Sequence, residues 1–151
     1  MLELARETDW QDIQRLSVQI HDLHVSWRPD IYFHVDEPYP KEKFCDDVAK
    51  RMVYVAKLQG SVAGYTVLSV VEKNGQGTVP SKMMRLDSIC VDEAVRGYGI
   101  GKAMVEDIRA LAKAFGCSAL ILGVHPENDC AVGFYQKCGF RIRTINMDMK
   151  L

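Results

Sequence analysis

No stretch of this chain stays apolar for the roughly 18 residues that a membrane-crossing helix needs, and neither sign of charge dominates it. Its 151 residues carry 19 basic and 20 acidic side chains, a formal charge of −1. That balance removes the long-range field that draws nucleic acid or an anionic membrane, so an anion has to be held by local groups. Neither nucleic acid nor membrane is expected as a partner. The first residues, Met1-Leu2-Glu3-Leu4, alternate as a strand does and lack the charged-then-apolar layout of a signal peptide. The five cysteines (Cys45, Cys90, Cys117, Cys130, Cys138) are odd in number, widely spaced and without a C-x-x-C pair, which argues against a disulfide framework and a cysteine zinc site. His21 and His24 have no third ligand at a suitable spacing, so no metal is expected. Together these absences read as a cytoplasmic protein. Repeats, low-complexity tracts and linkers are missing too, and the length suits one domain over residues 1–151.

What is present is an ordinary globular composition, 48% hydrophobic and 26% charged, arranged in alternating periods. Thr8-Asp9-Trp10-Gln11 offers a capping box, and Ile13, Leu16, Ile20 and Leu23 follow at helical spacing until Arg28-Pro29. From Pro40, Phe44 and Val48 predict a short second helix with Glu42, Asp46 and Asp47 on its wet side. Met52–Leu58 and Val62–Val71 are Val- and Tyr-rich and flank Gln59-Gly60-Ser61, a hairpin signal. Met84–Val91 reads as a further strand, and Ala103, Met104, Ile108, Leu111, Ala112 and Phe115 as a helix closed by Gly116. Ala119–Val124 is a short apolar run of the kind found in a buried central strand, followed by a helix through Lys137 and terminal strands.

Between the strand ending at Val91 and its following helix lies Arg96-Gly97-Tyr98-Gly99-Ile100-Gly101-Lys102. A helix N-terminus exposes unpaired N–H groups and about half a unit of positive charge, the glycines let the backbone approach an anion, and Arg96 and Lys102 add full charges. The segment suits a pyrophosphate. It is not a Walker A loop, which needs Gly at 96 and Ser or Thr at 103, where this chain has Arg96 and Ala103. It is not a dinucleotide fingerprint either, since a frame from Gly97 ends on Lys102 and one from Gly99 on Met104.

Arg96-Gly97-Tyr98-Gly99-Ile100-Gly101 resembles the R-x-x-G-x-G element of GNAT acetyltransferases. The run from Asn128 to Phe140 (NDCAVGFYQKCGF) is similar to their second element, N-x-x-A-x-x-F-Y-x-K-x-G-F. The two stand in the family's order with one helix and one strand between them, and the likeness covers essentially the whole chain. The resemblance implies a single α/β domain. Its mixed, mostly antiparallel sheet would have six to seven strands, with a splayed central parallel pair and about four helices. It implies acetyl-CoA as cosubstrate, its pyrophosphate on the main-chain N–H groups from Gly97 to Lys102 and its pantetheine arm beside Ile89, Cys90 and Val91, with Asn128 lining the arm. The implied activity is acetyl transfer to a primary amine of a small molecule or peptide, by direct attack in a ternary complex. Tyr135 occupies the position of the family's general acid. Asp87 is the first candidate for the base and His125 the second. Substrate selection falls to the first two helices and their connection, where His21, His24, Trp27, Tyr32 and Phe33 stand among carboxylates. Pairing with a second copy through terminal strands or sheet edges is a further implication. The alternative function is a non-catalytic acyl-CoA binding or sensing module with its acceptor pocket closed.

Overall fold

The alternation at the start forms β1 (Leu2–Leu4), and the Val- and Tyr-rich runs form β2 (Val53–Leu58) and β3 (Ser61–Lys73), in the computed structural model, which describes residues 1–151. Gln59 and Gly60 join β2 to β3 at φ 51 and φ 86. Two successive positive-φ residues make the tight turn whose twist matches that of the flanking strands. β4 (Ser81–Val91) lies antiparallel to β3, β5 (Ala119–Leu122) runs parallel to β4, and the sheet order is β1-β2-β3-β4-β5.

Five strands stand where six to seven were expected, because residues 140–151 enter no ladder. This segment has the alternation of a strand, but its apolar side is turned outward, with Ile145 75%, Met147 92% and Met149 83% exposed. Two contacts tie it to the protein: Asp148 takes a hydrogen bond from Arg28 at 3.0 Å, and Arg143 reaches Met83 Sδ at 3.3 Å. Side-chain contacts, not a ladder, hold it. β5 is therefore an edge strand, half-buried instead of fully buried, and the parallel pair lies at the side of the sheet, not at its centre.

Four helices cover the sheet: α1 (Trp10–Trp27), α2 (Lys41–Ala49), α3 (Ile100–Ala114) and α4 (Asp129–Lys137). The cap before α1 lies earlier than the Thr8–Gln11 pair. The Arg6 N–H donates to Asp9 Oδ2 at 2.8 Å, and a short 3-10 turn, Glu7–Asp9, precedes the helix. Asp9 is buried and also pairs with Lys57 at 3.1 Å, so the full charge of its carboxylate is the stronger acceptor. α1 and α2 bury Ile13, Leu16 and Phe44 against Val53, Val55, Tyr65 and Val67 on one face of the sheet. α3 buries Ile108 and Ala112 against Tyr54, Leu68, Met84 and Leu86 on the other. Each such side chain contributes about 1.5–3 kcal/mol relative to exposure. Asp47, expected on the wet side of α2, is only 8% exposed. The Tyr39 hydroxyl at 2.7 Å and Lys43 at 2.8 Å donate to its carboxylate, which is what makes its burial tolerable.

Candidate active site

The site begins with an irregularity in the sheet. Val67 pairs with Ser88 but Leu68 pairs with Leu86, so Asp87 is one residue too many on β4. A bulge of this kind bends the strand that carries it. At that bend β4 and β5 part: their last pairing is Leu86 with Leu122. β4 continues to Val91, bonded only to β3, while β5 gives way to Gly123. The edge of β4 from Asp87 to Val91 thus faces an opening with its main chain free of a strand partner on that side. Ile89, Cys90 and Val91 lie on this edge. The Cys90 thiol itself is turned away, 6% exposed and directed at the Leu16 carbonyl at 3.5 Å. Burial pushes that thiol up to about 11, and the nearby Arg96 guanidinium only partly opposes the shift, so Cys90 offers no thiolate.

Beyond Val91, a 3-10 turn (Glu93–Val95) is capped by Asp92, which accepts from the Ala94 N–H at 3.2 Å. Arg15 at 2.5 Å and Gln19 at 3.3 Å tie the same carboxylate to α1. Burial works against its charge, yet these hydrogen bonds hold its carboxyl below the usual range. Gly97 and Gly99 follow at φ 87 and φ 81, conformations that favour glycine. The first amide of α3 to donate along the backbone is Ala103, to the Gly99 carbonyl at 3.0 Å. The N–H groups of Gly97, Tyr98, Gly99, Ile100, Gly101 and Lys102 precede it and are left for another acceptor. Arg96 does not point into this ring. Its Nε donates to the Val91 carbonyl at 3.1 Å, pinning the loop to the end of β4. Gly101 has a packing reason: a Cβ there would come 3.3 Å from Cζ of Phe134, so the first turn of α3 sits directly against α4.

On the α1 side of the opening is a cavity of about 700 Å3. Of the residues singled out in the sequence, Asp87, Ile89, Asn128, Tyr135 and His125 line it, as do His21, His24 and Tyr32, and the glycine loop does not. Asn128 caps α4, its Oδ1 accepting from the Ala131 N–H at 3.2 Å. Tyr135 projects from α4 with its ring edge-on to Phe134 and Phe140 at 5.3 and 5.6 Å. Burial pushes its hydroxyl up to about 12, so it stays protonated. Asp87 is paired with Arg85 at 2.5 Å. Several lining groups carry no motif: Asp47 with Tyr39, Ser88 donating to the Tyr65 hydroxyl at 3.0 Å, and His24. Trp27 stacks on His125 at 5.4 Å and 13°, joining the end of α1 to the segment after β5 and closing one wall. His21, His24 and Tyr32, expected from the sequence to select the substrate, are on this wall, and Ser17 and Ile20 join them from the same face of α1.

A family model described as "Acetyltransferase (GNAT) family" matches residues 18–140. The chain belongs to that family. It is an N-acetyltransferase of the acetyl-CoA-dependent kind, and its free loop amides and unpaired β4 edge fit a pyrophosphate with an amide-bearing arm. Among solved structures it resembles a mutant of the protein BH1408 from Bacillus halodurans, at 28% identity over 100% of this chain and 99% of that one, with a TM-score of 0.96. A spermine/spermidine N(1)-acetyltransferase of Bacillus subtilis is 27% identical over 127 residues, 81% of this chain and 79% of that protein. The peptidyl-lysine N-acetyltransferase YjaB of Salmonella typhimurium is 42% identical over 57 residues, 38% of this chain and only 36% of that protein. As for membranes, no helix is long and apolar enough to cross one.

Proposed function

We propose that residues 1–151 form one domain that transfers an acetyl group from acetyl-CoA to a primary amine of a small molecule or peptide, by direct attack in a ternary complex. The observation that carries this reading is the parting of β4 from β5 at Leu86 and Leu122, which leaves an unpaired strand edge beside a cavity that Tyr135 lines. The relatives named for spermine, spermidine and peptidyl-lysine support a primary amine as the acceptor. Acetyl-CoA supplies the acetyl carbonyl as a thioester with a good leaving group. The amides from Gly97 to Lys102 hold its pyrophosphate, Lys102 adds charge, Arg96 fixes the loop from the Val91 carbonyl, and Ile89, Cys90 and Val91 align its arm along the strand edge while Asn128 lines the other side. An N–H of the β4 edge near Cys90 or Val91 meets the oxygen on which charge develops. Tyr135, kept protonated by its burial, gives the departing sulfur its proton. Asp87 stands at the bulge and lines the cavity, and although Arg85 occupies one carboxylate oxygen, the other can accept from an incoming ammonium and orient it. The binding-only alternative needs a closed acceptor pocket, and a cavity of about 700 Å3 favours an acceptor. The five free thiols suit a cytoplasmic location.

We also infer that the chain pairs with a second copy. It carries both halves of a sheet extension that it does not make itself: the open edge of β5 and the outward apolar face of Ile145, Met147, Met149 and Leu151. Exchange of residues 140–151 between two copies would satisfy both. Light scattering of the wild type should give a dimer mass, and Met147→Asp with Met149→Asp should give a monomer. A monomeric wild type overturns the pairing. The transfer itself is tested by release of free thiol from acetyl-CoA in the presence of spermidine, aminoglycosides, amino acids and lysine peptides, and failure of all of them overturns it.

A further inference from the structure

Five side chains that accept protons line the cavity: Asp47, Asp87, His21, His24 and His125. Hydrogen bonds already made constrain four of them. Asp47 accepts from the Tyr39 hydroxyl and Lys43, and Asp87 from Arg85. His125 Nδ1 lies 3.3 Å from the Glu127 main-chain N–H, a group that only donates. Nδ1 therefore holds the lone pair, and in the neutral ring Nε2 carries the hydrogen. His21 donates Nε2–H to the Phe33 carbonyl at 2.9 Å, which leaves its lone pair on Nδ1, the nitrogen nearer its own helix. His24 has the opposite arrangement. Its Nδ1 lies 2.8 Å from the Ile20 carbonyl, which only accepts, so Nδ1 carries the hydrogen and the lone pair sits on Nε2, the distal atom of the ring. Trp27 and Tyr32 stand at steep angles to that ring with centroids at 5.5 and 5.7 Å, fixing its plane.

We propose that His24 is the residue that takes the proton from the amine before attack, directly or through one water. This rests on the acetyl-transfer reading. An N–H bond of the ammonium breaks, its electron pair stays on nitrogen for the acetyl carbonyl, and an Nε2–H bond forms on His24. The proton then passes to water. Both states of the ring fit the site without rotation, because Nδ1–H donates to Ile20 throughout. The imidazolium stands in the last turn of α1, where the helix dipole favours a cation. Of the other charged groups facing the cavity, Lys43 is paired with Asp47 and Arg85 with Asp87, and the imidazoles of His21 and His125 also line it.

The test compares wild type and His24→Gln from about pH 6 to about pH 10, following thiol release with an amine from the panel that the wild type turns over. At neutral pH, kcat/KM should fall about 100-fold. The deficit should shrink to within a few-fold near pH 10, where solution supplies free amine, while KM for acetyl-CoA holds. Added imidazole should restore part of the activity of His24→Ala. A loss that is uniform across pH, or no loss, overturns the assignment. Nitrogen NMR of the wild-type imidazoles reads the tautomer without mutation or turnover. A neutral His24 protonated on Nε2 overturns the proposal even if the variants do not fold. A wild type inert toward every amine is instead a failure of the transfer reading, recognisable because no rate exists to compare.

Discussion

Gly64→Ala is the sharpest test of how the sheet sets the cofactor edge. Gly64 is a buried β3 residue opposite Val91. An added Cβ would come 2.8 Å from the Cys90 carbonyl oxygen and 3.0 Å from Sδ of Met104 on α3, both inside contact distance. Its φ is not positive, so backbone strain plays no part, and replacing a strand glycine would otherwise help by roughly 0.5–1 kcal/mol through lost freedom in the unfolded chain. Overpacking costs about 1–3 kcal/mol, which exceeds that gain. Either the β4 backbone or the first turns of α3 must move, and both carry proposed acetyl-CoA contacts. At about 2–4 °C per kcal/mol for a domain of this size, the net cost lowers Tm by up to about 10 °C, and acetyl-CoA should bind several-fold more weakly by calorimetry. Gly133→Ala on α4 is the control: nothing lies within 4 Å of its added Cβ, so it should raise Tm slightly. A Gly64→Ala protein that melts at or above wild type, with unchanged affinity, would refute the argument that this close approach holds α3 against the edge.

Tyr135→Phe keeps the ring contacts with Phe134 and Phe140 and removes only the hydroxyl, so kcat should drop about 100-fold or more while the acetyl-CoA dissociation constant moves less than three-fold; equal rates would remove Tyr135 from its role. Cys90, raised by burial to about 11 from an ordinary 9.0, binds its proton more tightly folded than unfolded. Its contribution is intact below about pH 9 and is lost as pH rises toward 11, by roughly 2–3 kcal/mol. Chemical denaturation across that range should show Cys90→Ala losing less stability with pH than wild type, and parallel curves would contradict the burial argument.

The elements that were legible in the sequence are those whose signal is local. The Gln59-Gly60 turn, the glycines before α3 and Gly116 after it each need a particular residue at a particular backbone position, so composition reports them directly. Asp87 shows the limit. Its place in a strand was readable, but its being the unpaired residue of a bulge depends on the register between Val67, Leu68 and β4, a relation between segments about 20 residues apart that no window along the chain contains. The burial of Asp47 is of the same kind. An acidic residue beside Asp46 reads as solvated until Tyr39, eight residues earlier, is seen to donate to it.

Residues 140–151 depart from the expected terminal strands for a different reason. Alternation there is real, and period-two patterning does specify a strand face, but it does not say which sheet edge that face meets. Within one chain the polar side found Arg28, and the apolar side found nothing. The acceptor wall has the opposite history. His21, His24 and Trp27 were recognisable as a group that could meet an amine, yet their separate tasks depend on which nitrogen each ring has already committed. That commitment is made by carbonyls and amides of the main chain, Ile20 for His24 and Glu127 for His125, groups that every residue possesses and that sequence therefore cannot distinguish. In this protein, chemistry dictated by backbone conformation was written in residue types, whereas chemistry dictated by which backbone group a side chain meets became visible only in three dimensions.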